Sequence, residues 1–317
     1  MRILFLGTGE IGLPTLRSLL ADPLHTVVGC VTQPDKPVGR RQELQAPEVK
    51  RVALCAGIPV FQPERVRAPE ALEKLRELEP DVIVVVAYGQ ILPRVLLEMP
   101  RVACLNLHAS LLPRHRGASP IHAAIEAGDR ETGMTVMYMA EGLDAGDVLL
   151  EKVLPIRRRE TAGTLHDRLA EIGPGALREA LALLEAGGAP RIPQDPSRVT
   201  YAGKLGREHG RIDWEMGCVE VERKIRAMNP WPAAHTVLPL GTGVKVLKVF
   251  RAIAVRRATG IPGCVLKSGP DGLLVAAGSG SVLVREVQLE GKKRMEAGEF
   301  LRGHSVEPGT LLGGVGL

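Results

Sequence analysis

The chain is poor in aromatic side chains. Four Phe, three Tyr and two Trp make up 3% of its 317 residues. Leu, Val, Ala, Arg, Gly and Pro are abundant instead, and 45% hydrophobic residues suffice for real cores, so disorder is not the default reading. The aromatic scarcity itself points to no function. Paired cysteines are also missing. Cys30, Cys55, Cys104, Cys218 and Cys264 are odd in number and scattered, with no Cys-x-x-Cys, which argues against a disulfide framework and a zinc ribbon. Cys104 and His108 stand four apart, but no second ligand pair follows, so no metal is expected. No apolar run reaches the roughly 20 residues of a membrane span, and Arg2 leads into a short strand pattern rather than a signal peptide. These absences point to a soluble, cytoplasmic protein. There is no internal repeat and no low-complexity segment.

Charge is present but uneven. Residues 1–205 carry 25 basic and 25 acidic side chains, and residues 206–317 carry 16 and 11, so the whole surplus of +5 lies in the last third. A neutral first part and a basic second part hint at a polyanionic partner.

Patterning divides the chain the same way. RILFLG (2–7), HTVVGCVTQ (25–33), DVIVVVAYG (81–89) and RVACLNLHAS (101–110) read as strands alternating with helices at 11–20, 47–56 and 69–78. The continuous apolar run at 81–89 marks a strand buried on both faces. This order predicts an α/β fold with a doubly wound, Rossmann-like, mostly parallel sheet. TGMTVMYMA (132–140) and VLLEKVLPI (148–156) form a strand pair added afterwards, and a long helix over 161–186, broken near Gly173–Gly175, closes the domain at residue 187. Residues 188–205, rich in proline and glycine, read as an extended linker. From 206 to 317 a helix at 219–228 precedes short strands GVKVLKVFRAIAV, GCVLKS, GLLVAAG and SVLVREVQLE, the pattern of a small antiparallel barrel of the oligonucleotide-binding type.

Gly7-Thr8-Gly9-Glu10-Ile11-Gly12 follows the first strand and opens the first helix. Such a turn can present N–H groups to any anion at a helix N-terminus. A dinucleotide site also wants an acidic residue ending the second strand. The candidate, Asp35, falls beyond that strand in the polar, basic loop Pro34–Pro47, which weakens the dinucleotide reading.

The richest stretch is NLHASLLPRHRGASP (106–120). Asn106 and His108 are two apart on a strand, so they share a face, at the carboxyl end where open α/β sheets bind ligands. An amide beside an imidazole can hold a developing oxyanion and move a proton. Asp144, in GLDAGDV (142–148), sits on a glycine-flanked turn from which a carboxylate can orient an imidazole. On these residues alone, His108 could equally be a satisfied core histidine.

Asn106, His108 and Asp144, with Ser110-Leu111-Leu112-Pro113 directly after the strand, resemble the N10-formyltetrahydrofolate-dependent formyltransferases. VVVAYGQILP (84–93), YAGKLGREHGRIDW (201–214), IRAMNPWP (225–232) and LEGKKRM (289–295) extend the resemblance over essentially the whole chain, and to the branch that formylates methionine on initiator tRNA. The resemblance implies that Asn106, His108 and Asp144 transfer a formyl group from 10-formyltetrahydrofolate to the methionine amine. It implies that Ser110, Leu111, Leu112 and Pro113, with Gly89, Gln90, Ile91 and Leu92, border the folate. The first glycine loop would border the amine-bearing substrate, with no nicotinamide cofactor and no metal. The loop 34–47 would enter the acceptor stem, with Arg40, Arg41 and Lys36 toward the tRNA, although Gln42-Glu43 stands where a basic pair is common. In the second domain Lys292, Lys293 and Arg294 are candidate tRNA contacts, as are Lys245, Lys248, Arg256 and Arg257. Trp214 and Trp231 read as packing anchors. A monomer is expected. The alternative with the same donor is a sugar-nucleotide formyltransferase.

Overall fold

Strands form first where β-branched and aliphatic residues run together. β1 (Arg2–Gly7) is buried after its first residue, and a short 3-10 turn (Glu10–Gly12) leads into α1 (Leu13–Ala21). The chain continues through β2 (Thr26–Val31), β3 (Lys36–Val38), β4 (Glu43–Gln45), α2 (Glu48–Cys55), β5 (Val60–Phe61), α3 (Pro69–Arg76), β6 (Val82–Val86), α4 (Arg94–Leu97) and β7 (Ala103–His108). There follow β8 (Arg116–Gly117), α5 (Pro120–Ala127), β9 (Glu131–Tyr138), β10 (Val148–Pro155), α6 (Ala162–Glu185) and β11 (Tyr201–Ala202). The computed structural model describes residues 1–39, 42–241 and 243–313. The chain divides into two units. The first comprises Met1–Pro120, Glu131–Pro155 and His166–Ala202, and the second Ile121–Arg130, Ile156–Leu165 and the chain from Gly203.

The first unit is built on a seven-stranded sheet in the order β10-β9-β7-β6-β1-β2-β5. The pairs from β5 to β7 are parallel, and β9 and β10 join antiparallel. The chain winds outward from β1 to β5, then crosses back to β6. The carboxyl ends of β1 and β6 therefore mark the topological switch point, where such sheets bind ligands. β6 and β7 are buried along their full length, so their backbone has partners on both sides.

Two local expectations are corrected. Pro34–Pro47 is not only a loop: β3 and β4 pair as a hairpin, Lys36 opposite Gln45 and Val38 opposite Glu43. The break expected near Gly173–Gly175 is absent, and α6 runs continuously with Pro174 inside it. A proline in a helix costs about 3 kcal/mol. Here Leu169, Ala170, Ala176, Leu177, Ala180 and Leu181 form one buried stripe that outweighs it. Gly173 lets α6 approach α1, since a Cβ there would lie 2.8 Å from the Thr15 hydroxyl.

In the second unit α7 (Cys218–Ala227) precedes β12 (Ala234–Leu240), β13 (Gly243–Val255), β14 (Val265–Gly269), β15 (Gly272–Ala276), β16 (Ser281–Leu289), β17 (Met295–Glu296) and α8 (Ala297–Gly303). The sheet order is β12-β13-β16-β15-β14, with β17 added beside β16. Register shifts around Arg251 mark bulges, which bend β13 and curl the sheet into an antiparallel half-barrel. β12 escaped the sequence reading because Pro239 argues against a strand; it is tolerated at an edge. Segments 121–130 and 156–165 are tied to α7: Lys224 Nζ bonds Glu126 at 2.8 Å, Arg226 Nη1 donates to the Glu160 carbonyl at 3.0 Å, and the Gly163 N–H donates to the Asn229 carbonyl at 3.0 Å. Trp214 is buried, with its indole N–H on Thr236 Oγ1 at 3.0 Å. Trp231 is no packing anchor: it is 53% exposed, while the following Pro232 and Ala233 turn inward.

Two outcomes follow from this packing. Gly173→Val should lower stability in urea unfolding by about 1–3 kcal/mol; an unchanged midpoint would show that the helices part freely. Glu286 is chelated by Arg294, Nε at 2.7 Å and Nη2 at 2.8 Å, and these hydrogen bonds hold its carboxyl below the usual range. A lowered folded pKa adds stability that is full above the unfolded value and lost as pH falls through the folded one. Glu286→Gln should therefore lower the melting temperature near neutral pH, with the gap closing well below the ordinary glutamate value of about 4.3. An equal gap at both pH values would refute the assignment.

Candidate active site

β7 carries the centre of the site. Alternation along the strand puts Cys104, Asn106 and His108 on one face. Cys104 lies in the core with Leu4, Leu6 and Val85, and burial pushes its thiol up to about 12. Asn106 and His108 are 9% and 6% exposed, at the carboxyl end of the strand. His108 pairs in register with Thr135 of β9, and Asn106 with Val85 and Met137.

After His108 the chain enters a tightly bonded turn. Ser110 is fully buried; its hydroxyl donates to the Arg114 carbonyl at 2.7 Å, and its carbonyl accepts from Thr135 Oγ1 at 2.6 Å. The Leu112 N–H donates to Thr135 Oγ1 at 3.2 Å, and the Leu112 side chain packs on Met137 and Val148. Leu111 is half-buried and Pro113 buried. His115 has φ +59°. Its carbonyl stands 3.0 Å from His108 Nε2, so Nε2 is the ring nitrogen that carries a proton to it. Burial raises the Glu151 carboxyl, which lies 3.4 Å from the Thr135 hydroxyl.

Asp144 closes the arrangement. It sits at φ +47° on the turn between β9 and β10. Oδ2 accepts from the Gly117 N–H at 2.7 Å and lies 3.6 Å from His108 Nδ1; Oδ1 lies 3.5 Å from Asn106 Nδ2. Both nitrogens of the imidazole thus face acceptors, and among the described residues the Asn106 side-chain amide makes only the long contact to Asp144. A short, buried row of amide, imidazole and carboxylate can stabilise an oxyanion and pass a proton.

Sequence reasoning missed several residues that hold this row. Gln194 Nε2 donates to the carbonyls of Asp144 and Gly146 at 2.8 and 2.7 Å, and its Oε1 accepts from Arg116 Nε and Nη2 at 3.0 and 2.7 Å. Thr200 Oγ1 accepts the His115 N–H at 2.8 Å, and β11 pairs with β8. Nothing in the proline-rich composition of 188–205 marks these contacts. Thr135 is detectable only as a hydroxyl facing His108 across the strand pair.

The glycine loop is occupied by its own neighbour. The N–H groups of Thr8 and Gly9 both donate to the Ala87 carbonyl at 3.2 Å, which takes two of the donors an anion would use. Its glycines serve close approach: a Cβ on Gly9 would lie 3.1 Å from that of Ala87, and one on Gly12 3.2 Å from that of Val86. Asp35 is held by Lys50 Nζ at 2.8 Å and Gln62 Nε2 at 2.7 Å; these bonds keep its carboxyl below the ordinary range.

The folate candidates after β6 have unequal surroundings. Gly89 has φ +85°. Gln90 is spent on the chain: Oε1 accepts the Val66 N–H at 2.7 Å, and Nε2 donates to the Pro63 carbonyl at 3.1 Å. Leu92 is buried in the core, whereas Ile91 is 89% exposed, an apolar group standing in solvent. Of the tRNA candidates, Arg40 and Arg41 lie outside the described residues. Lys36, at the start of β3, is exposed, as are Lys292 and Lys293 beside β17. Arg294 is engaged within the chain, chelating Glu286 and lying over the Phe250 ring at 4.2 Å.

The chain has recognisable relatives. A family model described as Formyl transferase matches residues 1–181, and one described as Formyl transferase, C-terminal domain, matches residues 204–305. A methionyl-tRNA formyltransferase of Methylacidiphilum infernorum is 48% identical over 314 residues, 99% of this chain and 98% of its own. One of Pseudomonas entomophila is 50% identical over 295 residues, 93% of each chain. Among solved structures, a sugar 3N-formyl transferase has a TM-score of 0.66 at 17% identity, over 92% of this chain and 99% of that one. A methionyl-tRNA formyltransferase from Clostridium thermocellum has a TM-score of 0.56 at 17% identity, over 81% and 95%. At such identities the solved structures speak for the fold alone. With both family models matched and relatives near 48% identity along its full length, the chain belongs to the formyl transferase family.

Proposed function

We propose that the chain transfers the formyl group of 10-formyltetrahydrofolate to the α-amine of methionine esterified to initiator tRNA. The observation that carries the chemistry is the meeting of Asn106, His108 and Asp144 within 3.6 Å at the carboxyl end of β7. The acceptor follows from relatives named methionyl-tRNA formyltransferase that match across both domains. The amine attacks the formyl carbon; a C–N bond forms and the carbonyl oxygen becomes an oxyanion. Asn106, held only loosely by Asp144, donates to that oxygen. His108, oriented between Asp144 and the His115 carbonyl, stabilises the charge and helps the amine proton reach N10 as the C–N10 bond breaks. The products are formyl-methionyl-tRNA and tetrahydrofolate. The donor would lie along the loop of Gly89, Gln90, Ile91 and Leu92 and the turn of Ser110 to Pro113, where exposed Ile91 offers apolar surface to a flat ring. Lys36, Arg40 and Arg41 at the 34–47 hairpin, and Lys292 and Lys293 on the second unit, would face the tRNA; Arg294 would support the latter through Glu286. The enzyme would act in the cytoplasm as a monomer.

The test is formyl transfer from 10-formyltetrahydrofolate to charged initiator Met-tRNA, beside elongator Met-tRNA and an amino-sugar nucleotide. Formylation of the initiator alone supports the proposal; turnover of only the sugar nucleotide would overturn the acceptor. Asn106→Ala should lower kcat roughly 100- to 1000-fold without moving the melting temperature, and full activity in that variant would remove the oxyanion role. Replacing Lys292 and Lys293 by Ala should raise KM for tRNA, leave kcat alone and flatten the dependence of log(kcat/KM) on log[salt] by about 1 per lost phosphate contact. An unchanged slope would take these lysines off the RNA.

A further inference from the structure

One amide spans the two turns that meet at the site. Asp144 sits at φ +47°, a left-handed conformation uncommon outside glycine and reached more readily by Asp and Asn than by most side chains. Its neighbours fix the turn. The carbonyls of Asp144 and Gly146 both accept from Gln194 Nε2, at 2.8 and 2.7 Å. The other end of the same amide accepts two bonds from the Arg116 guanidinium, at 3.0 and 2.7 Å. The orientation of the amide is unambiguous, because reversing it would set an NH2 against guanidinium donors and an oxygen against two carbonyls. Arg116 lies between His115, whose carbonyl faces His108 Nε2, and Gly117, whose N–H donates to Asp144 Oδ2. Gln194 therefore joins turn 144–146 to segment 115–117, the two pieces of chain that touch His108 from either side.

We propose that Gln194 is a positioning residue for formyl transfer. It holds the Asp144 turn against Arg116, and thereby sets the carboxylate against His108 Nδ1. It acts through Asp144. The inference rests on the reading of Asn106, His108 and Asp144 as the reacting groups.

Gln194→Glu tests it. The glutamate keeps the size and the Arg116 partner but loses both donors to the turn. Gln194→Met, similar in length and without any donor, serves should the glutamate variant not fold. Either should lower kcat about 10- to 100-fold, since misplacing a reacting group by about 1 Å can cost about 100-fold, with KM for tRNA and folate within twofold of wild type. In an Asp144→Asn background the same substitution should add less than a further twofold, because two residues acting through one contact are not additive. Hydrogen exchange reads the geometry without any substrate: the Gly117 amide should exchange at least tenfold faster, while amides of β9 keep their protection. Full multiplicative loss in the double variant, or a Gly117 amide as protected as in wild type, would overturn the role of Gln194. If the wild-type chain fails to formylate Met-tRNA, the acceptor assignment falls, and the Gly117 exchange still decides whether Gln194 holds the turn.

Discussion

The Asp144 carboxylate is the point on which the site depends. One oxygen accepts the Gly117 N–H at 2.7 Å and faces His108 Nδ1, and the other faces the Asn106 amide. A carboxylate with a side chain 13% exposed needs partners of this kind, because unpaired burial of charge is expensive. Its partners come from strand β7 and from segment 115–117 just beyond it, while Gln194, beyond α6, bonds the backbone carbonyls of the turn that carries it. The sheet supplies a rigid base for Asn106 and His108, and the turn supplies Asp144.

The fold was legible where pattern and packing agree. DVIVVVAYG and RVACLNLHAS lie on neighbouring strands buried along their length, as continuous apolar runs between helices require. Asn106 and His108 share a face because strands alternate and β7 pairs on both sides without a register shift. What the sequence hid is physical in origin. The Pro174 site in α6 sets local propensity against a long apolar stripe, and the stripe prevails. β12 carries a proline that only an edge position accommodates. Gln194 and Thr200 act through hydrogen bonds from an irregular segment, and such bonds leave no periodicity to find. The glycine loop shows the opposite hazard: its spacing suits a phosphate, yet two of its donors are spent on Ala87.

The basic surplus of the last third also separates on inspection into two kinds. Arg294 and Arg251 face Glu286, and Arg226 bonds Glu222, so part of the positive charge is neutralised within the second unit. Lys292, Lys293, Lys245, Lys248, Arg256 and Arg257 remain on exposed positions. A count of charges cannot tell these sets apart; only their partners can.

The tie between segment 188–202 and the site has a consequence for how the protein is made. Once Pro155 has left the ribosome every strand of the first sheet exists, and Asn106, His108 and Asp144 have all been synthesised. The residues that clasp the turn have not yet emerged. Gln194, Thr200 and the short strand Tyr201–Ala202 emerge only afterwards, immediately before the second unit's main stretch begins at Gly203. The nascent chain thus carries Asn106, His108 and Asp144 before it carries the residues that bond the turns around them.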